Sequence, residues 1–340
     1  MSPGDYTQRQ VPLAPKPYDF VPFPQSVTRR PLPHGIETLC ADDGFYSGNL
    51  TLVLETLTPL FVASGRYELS EDLTFSKGAI ARGCYRIGGQ PTIPAASLKG
   101  CVRSVAEAVS PSHVSLTKVD IPRHLKDTGQ CRAGDRSCPA CALFGTGGTK
   151  AHISLVRFED ALPAGEAKTS LRSLIPLHAP QASGQRLPPA YVDKYGVQKG
   201  RKFYFHNMPA DGSEGDRCEV VQEKTLFMAR MSFINLEGPL LGVLFFALSL
   251  DGTFRLKLGG GKPLGFGSIA LTAIELRLLS SACFMGSAER GAMEGADLAE
   301  FVIDMLEGAK AEELLLEPQV EKLREILRWP TSRVAVTEPY

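Results

Sequence analysis

The clearest pattern in the chain is a strict alternation of apolar and polar residues over 49–56 (NLTLVLET), the period of a strand with one buried face. A Gly-bearing connection of mixed charge, 65–92, leads to Pro94, and a residue before proline is held out of the helical region. Ser97 then stands where an N-cap is expected. Leu98, Val102, Val105 and Val109 follow at helical spacing and predict a helix to about Val109. Alternation returns over 151–161 (AHISLVRFEDA) and 225–236, predicting two more strands. The run 238–250 (GPLLGVLFFALSL) is apolar on most sides, as a helix buried under a sheet would be. Strands over 253–258 and 268–279, joined by a glycine-rich loop, close the series.

Strand–helix–strand therefore occurs twice. Two such halves fold most economically as an antiparallel sheet with two helices on one face, an α+β fold of ferredoxin-like type. Around it lie three other textures. Residues 1–36 carry prolines interleaved with Tyr18, Phe20 and Phe23, predicting an extended arm that packs over its own domain or a neighbour. Residues 162–224 are rich in Pro, Gly, Lys and Arg, with extended pieces at 171–177 and 201–206, and read as an insertion bearing a β-hairpin. From about 291 the chain turns acidic and Leu-rich, predicting helices over 296–306, 309–316 and 318–327. The expected organisation is an arm (1–36), a main domain (37–280) with insertions at about 113–150 and 162–224, and a helical tail (281–340).

Composition is that of an ordinary globular protein of 340 residues, with 43% hydrophobic and 22% charged residues. A formal net charge of +0 excludes a uniformly basic nucleic-acid binder. The distribution is uneven: 95–206 hold 16 Lys and Arg against 8 Asp and Glu, and 281–340 hold 6 against 12. That split predicts a basic working face and an acidic appendage. No apolar run reaches the length of a membrane span and the N-terminus lacks the apolar core of a signal peptide, so a cytoplasmic protein without membrane contact is expected. Three of the 8 cysteines fall within residues 131–141 while the others are scattered, which points to a metal site in a reducing compartment.

His124, Cys131, Cys138 and Cys141 have the make-up of a structural Zn2+ site, with Cys138-Pro-Ala-Cys141 offering two thiolates on one knuckle. His113 and His152 are alternative fourth ligands, and three free thiols are the alternative to a site. Lys99 and Arg103 lie four apart near the start of the Ser97 helix, where a phosphate would be received; a capped surface helix with solvated cations is the other reading. The run 259–267 is not a nucleotide loop, because Pro263 follows Lys262 and a strand follows the loop. What remains is a flexible, cation-bearing glycine loop able to approach a sugar-phosphate chain. No catalytic triad is present, and His178 and His206 read as surface or packing residues. Glu68, Glu71 and Asp72 in the 65–92 connection could bind a divalent ion.

Several of these stretches, in order, resemble the RAMP superfamily of CRISPR-associated proteins, and within it the backbone subunits of type III effector complexes. The matching pieces are Ile93 to Gly100 (IPAASLKG), Cys138 to Gly145 (CPACALFG), the strand ending Phe158-Glu159-Asp160-Ala161, and the loop 259–267 with Phe266. The arm segment PYDFVP (17–22) and GRKFYFH (200–206) resemble one branch of the family. The likeness spans roughly 15–280, and the tail has no counterpart. It implies a modified ferredoxin-like (RRM-type) palm, a zinc-bearing insertion and a β-hairpin thumb. Such subunits hold CRISPR guide RNA, meet complementary target RNA through the thumb, and assemble with other effector subunits. Guide RNA would then be met by Ser97, Lys99, Arg103, Arg201, Lys202, Gly260, Gly261, Lys262 and Gly265. In cleaving members an Asp between the first strand and first helix cuts target RNA with Mg2+ or another divalent ion. Here Asp72 is the nearest carboxylate, and 77–82, where the family's Asp falls, holds no acid. A guide-processing nuclease using His178 or His206, and a zinc-stabilised protein-interaction module that binds no RNA, remain as alternatives.

Overall fold

The structure is a computed structural model that describes residues 16–31, 45–69, 73, 80–114, 121–127, 131, 136–147, 151–175, 189–212, 215–279 and 292–337. Its elements are, in order, β1 (Tyr18–Pro22), β2 (Phe45–Thr56), β3 (Ala63–Leu69), β4 (Ile80–Cys84), α1 (Ala95–Val109) and α2 (Pro139–Phe144). Next come β5 (Val156–Phe158), β6 (Thr169–Ser173), β7 (Gly200–Tyr204), β8 (Arg217–Val221), β9 (Leu226–Glu237) and α3 (Gly238–Ala247). The series ends with β10 (Leu256–Lys257), β11 (Ser268–Leu278), α4 (Gly295–Ala311) and α5 (Glu317–Ile326). The protein is mixed α+β.

Strand β2 is the centre of the main sheet, with β9 on one side and β11 on the other, both antiparallel. The alternation read in the sequence fixes the register: Leu50, Leu52 and Leu54 face Met231, Ala229 and Phe227 across one ladder and Leu276, Ala273 and Leu271 across the other. A one-residue slip would turn these leucines to the opposite face. Beyond β9 run β5 and the two-residue strand Leu162–Pro163, and β10 extends the sheet past β11. Helices α1 and α3 contribute Leu98, Val102, Val105 and the whole of 240–247 to the core beneath the leucines.

Helix α3 is apolar all round because it is covered twice. The sheet lies on one side and the tail helix α4 on another, with Leu298, Val302, Leu306 and Ala309 forming the stripe that α4 buries. At Gly242 the backbones approach so closely that a Cβ would stand 2.0 Å from the Met305 carbonyl oxygen. The acidic tail is thus no appendage: its apolar stripe completes the core and its charges stay outside. Its first two expected helices are one, α4, and α5 packs on α1 and β1.

Three local expectations change. The 65–92 connection contains the antiparallel pair β3–β4. Among the described residues, the extended pieces expected at 171–177 and 201–206 do not pair with each other. Thr169–Ser173 instead joins β8, which runs parallel to β4, giving a second sheet in the order β6-β8-β4-β3. Gly200–Tyr204 pairs with the arm strand β1, so the Tyr18–Pro22 part of the arm is held by its own chain. Finally, α1 starts two residues earlier than its expected cap. Pro94 is the N-cap, Ser97 makes no capping bond, and the Asp160 carboxylate accepts the Ala95 N–H at 2.6 Å. A proline cannot cap with its side chain, so a distant carboxylate supplies the acceptor and the favourable negative charge.

Candidate metal centre and nucleic-acid interface

Helix α1 carries two sites, one beyond its C-terminal end and one along its flank. At the end, Ser110 stops the helix: its hydroxyl bonds the Ala106 carbonyl at 2.6 Å and lies 2.7 Å from the Ser112 hydroxyl. Ser112 in turn accepts the Ala140 N–H at 3.0 Å, stapling the end of α1 to the cysteine knuckle. His113 is thereby delivered to Cys131, Cys138 and Cys141, and the four donor atoms lie within 4.8 Å of one another, all in buried residues. His113 Nδ1 is 3.3 Å from Cys138 Sγ and 3.5 Å from Cys141 Sγ. Ligands on a tetrahedral zinc stand roughly 3.6 Å apart, so the set fits that ion in donor type and spacing. The Cys138 N–H and the Arg29 Nε–H both donate to Cys131 Sγ, at 3.3 and 3.5 Å. Hydrogen bonds from the neighbouring thiols push the Cys131 thiol well below the usual cysteine range. For His113, burial disfavours the cation, but hydrogen bonds to Cys131 and Cys138 outweigh it and raise the pKa to about 9. Such a cluster can hold a metal ion.

His124, expected as the fourth ligand, lies outside this group, in the short helix Arg123–Asp127, with Nε2 at 3.1 Å from the Pro24 carbonyl. His152 is also outside, its Nε2 3.1 Å from the Ser137 hydroxyl. The signal for His113 was present in the sequence: it stands a few residues past the last apolar position of the predicted helix, Val109.

Along the flank of α1 runs a groove of about 400 Å³. Ser97, Gly100, Cys101 and Ser104 of α1 form one wall, Lys202, Phe203 and Tyr204 of β7 another, and Leu256 to Gly259 with Lys262 the floor. Its lining includes three lysines and two serines and no carboxylate. Lys202 is held in place: its Nζ donates to the Tyr191 hydroxyl at 2.6 Å and sits 3.9 Å from the Tyr18 ring centroid and 4.5 Å from that of Tyr204. Lys257 is almost fully buried, and burial, with the charge of Lys262 added, lowers its pKa to about 7. Its ammonium donates to the Ser268 hydroxyl at 3.3 Å, and that hydroxyl lies 2.8 Å from His206 Nδ1. His206 Nε2 faces the Arg255 carbonyl at 3.0 Å, which only accepts, so Nε2 carries the proton and Nδ1 accepts from Ser268. Burial, then the Lys257 charge, lowers the His206 pKa to about 3, so the ring is a neutral structural link.

The glycine loop is packed and not flexible. Gly259, Gly261, Gly265 and Gly267 have φ of 80, 67, 85 and 79°. A Cβ at Gly259 would meet the Phe61 carbonyl oxygen at 2.3 Å. Gly260 donates its N–H to that same carbonyl at 2.8 Å, Gly261 backs onto the Phe266 ring and Gly265 onto the 207–208 backbone. Of the residues expected to meet RNA, Ser97, Lys202 and Lys262 line the groove. Gly260, Gly261 and Gly265 shape its floor from behind. Lys99 reaches the Val156 carbonyl at 3.3 Å, and Arg103 and Arg201 both grip Glu107, at 2.9 and 2.6 Å. Lys257, Ser104 and Leu327 were missed; a lysine inside an apolar strand pattern was the available signal for Lys257. Asp72, Glu71 and His178 lie outside the described residues.

The chemistry on offer is reception of an anionic chain: cations and hydroxyl donors, with no carboxylate in the lining to hold a divalent ion. No helix among the described residues is long and apolar enough to cross a membrane. The fold and groove define a mixed α+β protein with a Cys/His cluster and an anion-receptive face. The sequence profile of the RAMP superfamily matches residues 53–270, and the chain belongs to that superfamily of CRISPR-associated proteins, which implies an RNA-binding role. No curated protein matches the sequence.

Proposed function

We propose that this protein is a guide-RNA-binding backbone subunit of a type III CRISPR effector complex, with zinc in the Cys/His cluster. The single observation that carries the reading is the groove between α1 and the glycine loop, lined by Lys202, Lys257 and Lys262 without a carboxylate. Phosphates of a single strand suit such a lining, because backbone contacts need fixed cations and hydroxyl donors and read no base. The sheet order β5-β9-β2-β11 with α1 and α3 beneath it supports a ferredoxin-like palm. The sheet β6-β8-β4-β3, whose edge strand β3 exposes Tyr67 and Leu69, serves in this reading as the thumb that meets the guide–target duplex. Binding of single-stranded RNA across a salt series tests the assignment: a log–log slope of several units is expected, and a flat response sinks it. Within the same reading, any cutting of target RNA falls to Asp72 with Mg2+, because Asp72 is the carboxylate nearest the position where cleaving members of the family carry their Asp. Assembled complex carrying Asp72→Ala is expected to lose Mg2+-dependent cleavage of guide-matched RNA while keeping the guide.

A further inference from the structure

The two sites on α1 are joined by a buried ion network. Glu107 of α1 takes the Arg201 Nη1 on one carboxylate oxygen at 2.6 Å and the Arg103 Nε on the other at 2.9 Å. Both arginines also hold the metal loop: Arg201 Nη2 donates to the carbonyl of His113 at 3.2 Å, and Arg103 Nη1 to the carbonyl of Gly145 at 3.3 Å. Gly145 is the C-cap of α2, the helix that carries Cys141. The Arg201 Nε is buried without a partner among the described residues, so the guanidinium is held through its two other nitrogens. Arg201 immediately precedes Lys202, Phe203 and Tyr204, one wall of the groove, while Glu107 belongs to the helix that forms the other.

We infer that the Glu107–Arg201 pair is a positioning device through which metal occupancy of the Cys/His cluster sets the spacing of the groove walls; this rests on the groove's being the RNA site. The ion pair ties wall to wall, and its outer ends hang on carbonyls at 113 and 145. Both carbonyls flank metal donors. With the ion in place, four side-chain bonds fix those carbonyls. Without it, the centre of the loop loses those four bonds: α2 stays on the main core through Ala142, Leu143 and Phe144, while among the described residues the satellite core holds just Cys131, Cys138 and Cys141 with Val27 against them. The hydrogen bonds of the pair weaken steeply as their geometry is lost and a buried charge is costly to leave unpaired, so a shift of its anchors is passed on to both walls and not absorbed.

The test uses the full-length protein, loaded with zinc or with cobalt(II), whose visible bands report a thiolate site directly, and the same protein stripped by a chelator. Stripping is expected to raise amide exchange about fivefold in 97–105 and 200–204 relative to the central strand β2. It is also expected to weaken single-stranded RNA binding about tenfold. Arg201→Lys keeps a charge for Glu107 but loses the second donor that reaches His113. It should retain the cobalt spectrum while the effect of stripping on the groove shrinks below about twofold. Should that variant not fold, Arg103→Lys takes its place, breaking the contact to Gly145 from the more exposed end. Unchanged exchange at both walls on stripping, or a variant that responds to stripping as the unmutated protein does, overturns the coupling. If RNA binds neither form, the function proposed above fails while the exchange data still decide the coupling.

Discussion

Three of the four donors in the Cys/His cluster come from eleven consecutive residues, 131–141, whereas the groove draws its lining from four segments between Ser97 and Leu327. Among the described residues the three cysteines have Val27 packed against them, and the helix that carries Cys141 joins the main core through Ala142, Leu143 and Phe144. The groove is held by the main core: α1 stands on the sheet, the glycine loop on Phe61 and Phe266, and α5 braces the far side. A locally encoded donor set, once loaded with a metal, would depend on that ion, and a site assembled from distant segments depends on the whole fold. The difference predicts which perturbation each will feel.

The largest effect is expected at the cluster. Structural zinc supplies about 10–16 kcal/mol of apparent binding energy in small domains, so losing one thiolate should release the ion. Cys138→Ser or Cys141→Ser is expected to abolish zinc in metal analysis and to loosen 121–147, with amide protection in β2 retained. Metal-free unmutated protein would remove the premise. In the groove, Lys202→Glu with Lys262→Glu should weaken single-stranded RNA binding about 30-fold. Each lost phosphate contact also lowers the salt slope by roughly 0.7. Filter binding at several salt concentrations measures both.

A subtler contrast is in pH. Lys257 has its pKa lowered to about 7 by burial and the Lys262 charge, so above that pH the free groove holds a neutral amine. A phosphate favours the charged amine, so binding takes up a proton and affinity falls as pH rises through about 7. About tenfold between pH 6.5 and 8.5 is expected, and Lys257→Met should flatten the profile. The smallest effect separates the groove from its surroundings. Lys99→Glu, whose ammonium points to the Val156 carbonyl and not into the groove, should change RNA affinity by about twofold or less, and a tenfold loss would redraw the interface.

The legible parts of the molecule share a physical feature: they depend on neighbours in sequence. The 49–56 alternation, the helix through Val109, the apolar run after Gly238 and the Cys-Pro-Ala-Cys knuckle all express local periodicity or ligand spacing. What was not legible depends on long-range partners. Ser97 looks like a cap, yet Asp160, 65 residues beyond the Ala95 N–H that it accepts, does the capping. Arg201 is expected to meet guide RNA, yet Glu107 draws it inside. The acidic tail reads as an appendage until α3 is seen to need a second cover.

The sequence by itself determined the secondary elements of the main sheet, the family likeness, the three thiolates and the basic middle of the chain. Tertiary structure alone decided that His113 and not His124 joins the thiolates, because the end of α1 is stapled to the knuckle through Ser112 and Ala140. It also decided which cations face the groove. Lys202, Lys257 and Lys262 converge there because β7, β10 and the glycine loop are brought together by antiparallel pairing and close backbone packing, neither of which is encoded within any one segment.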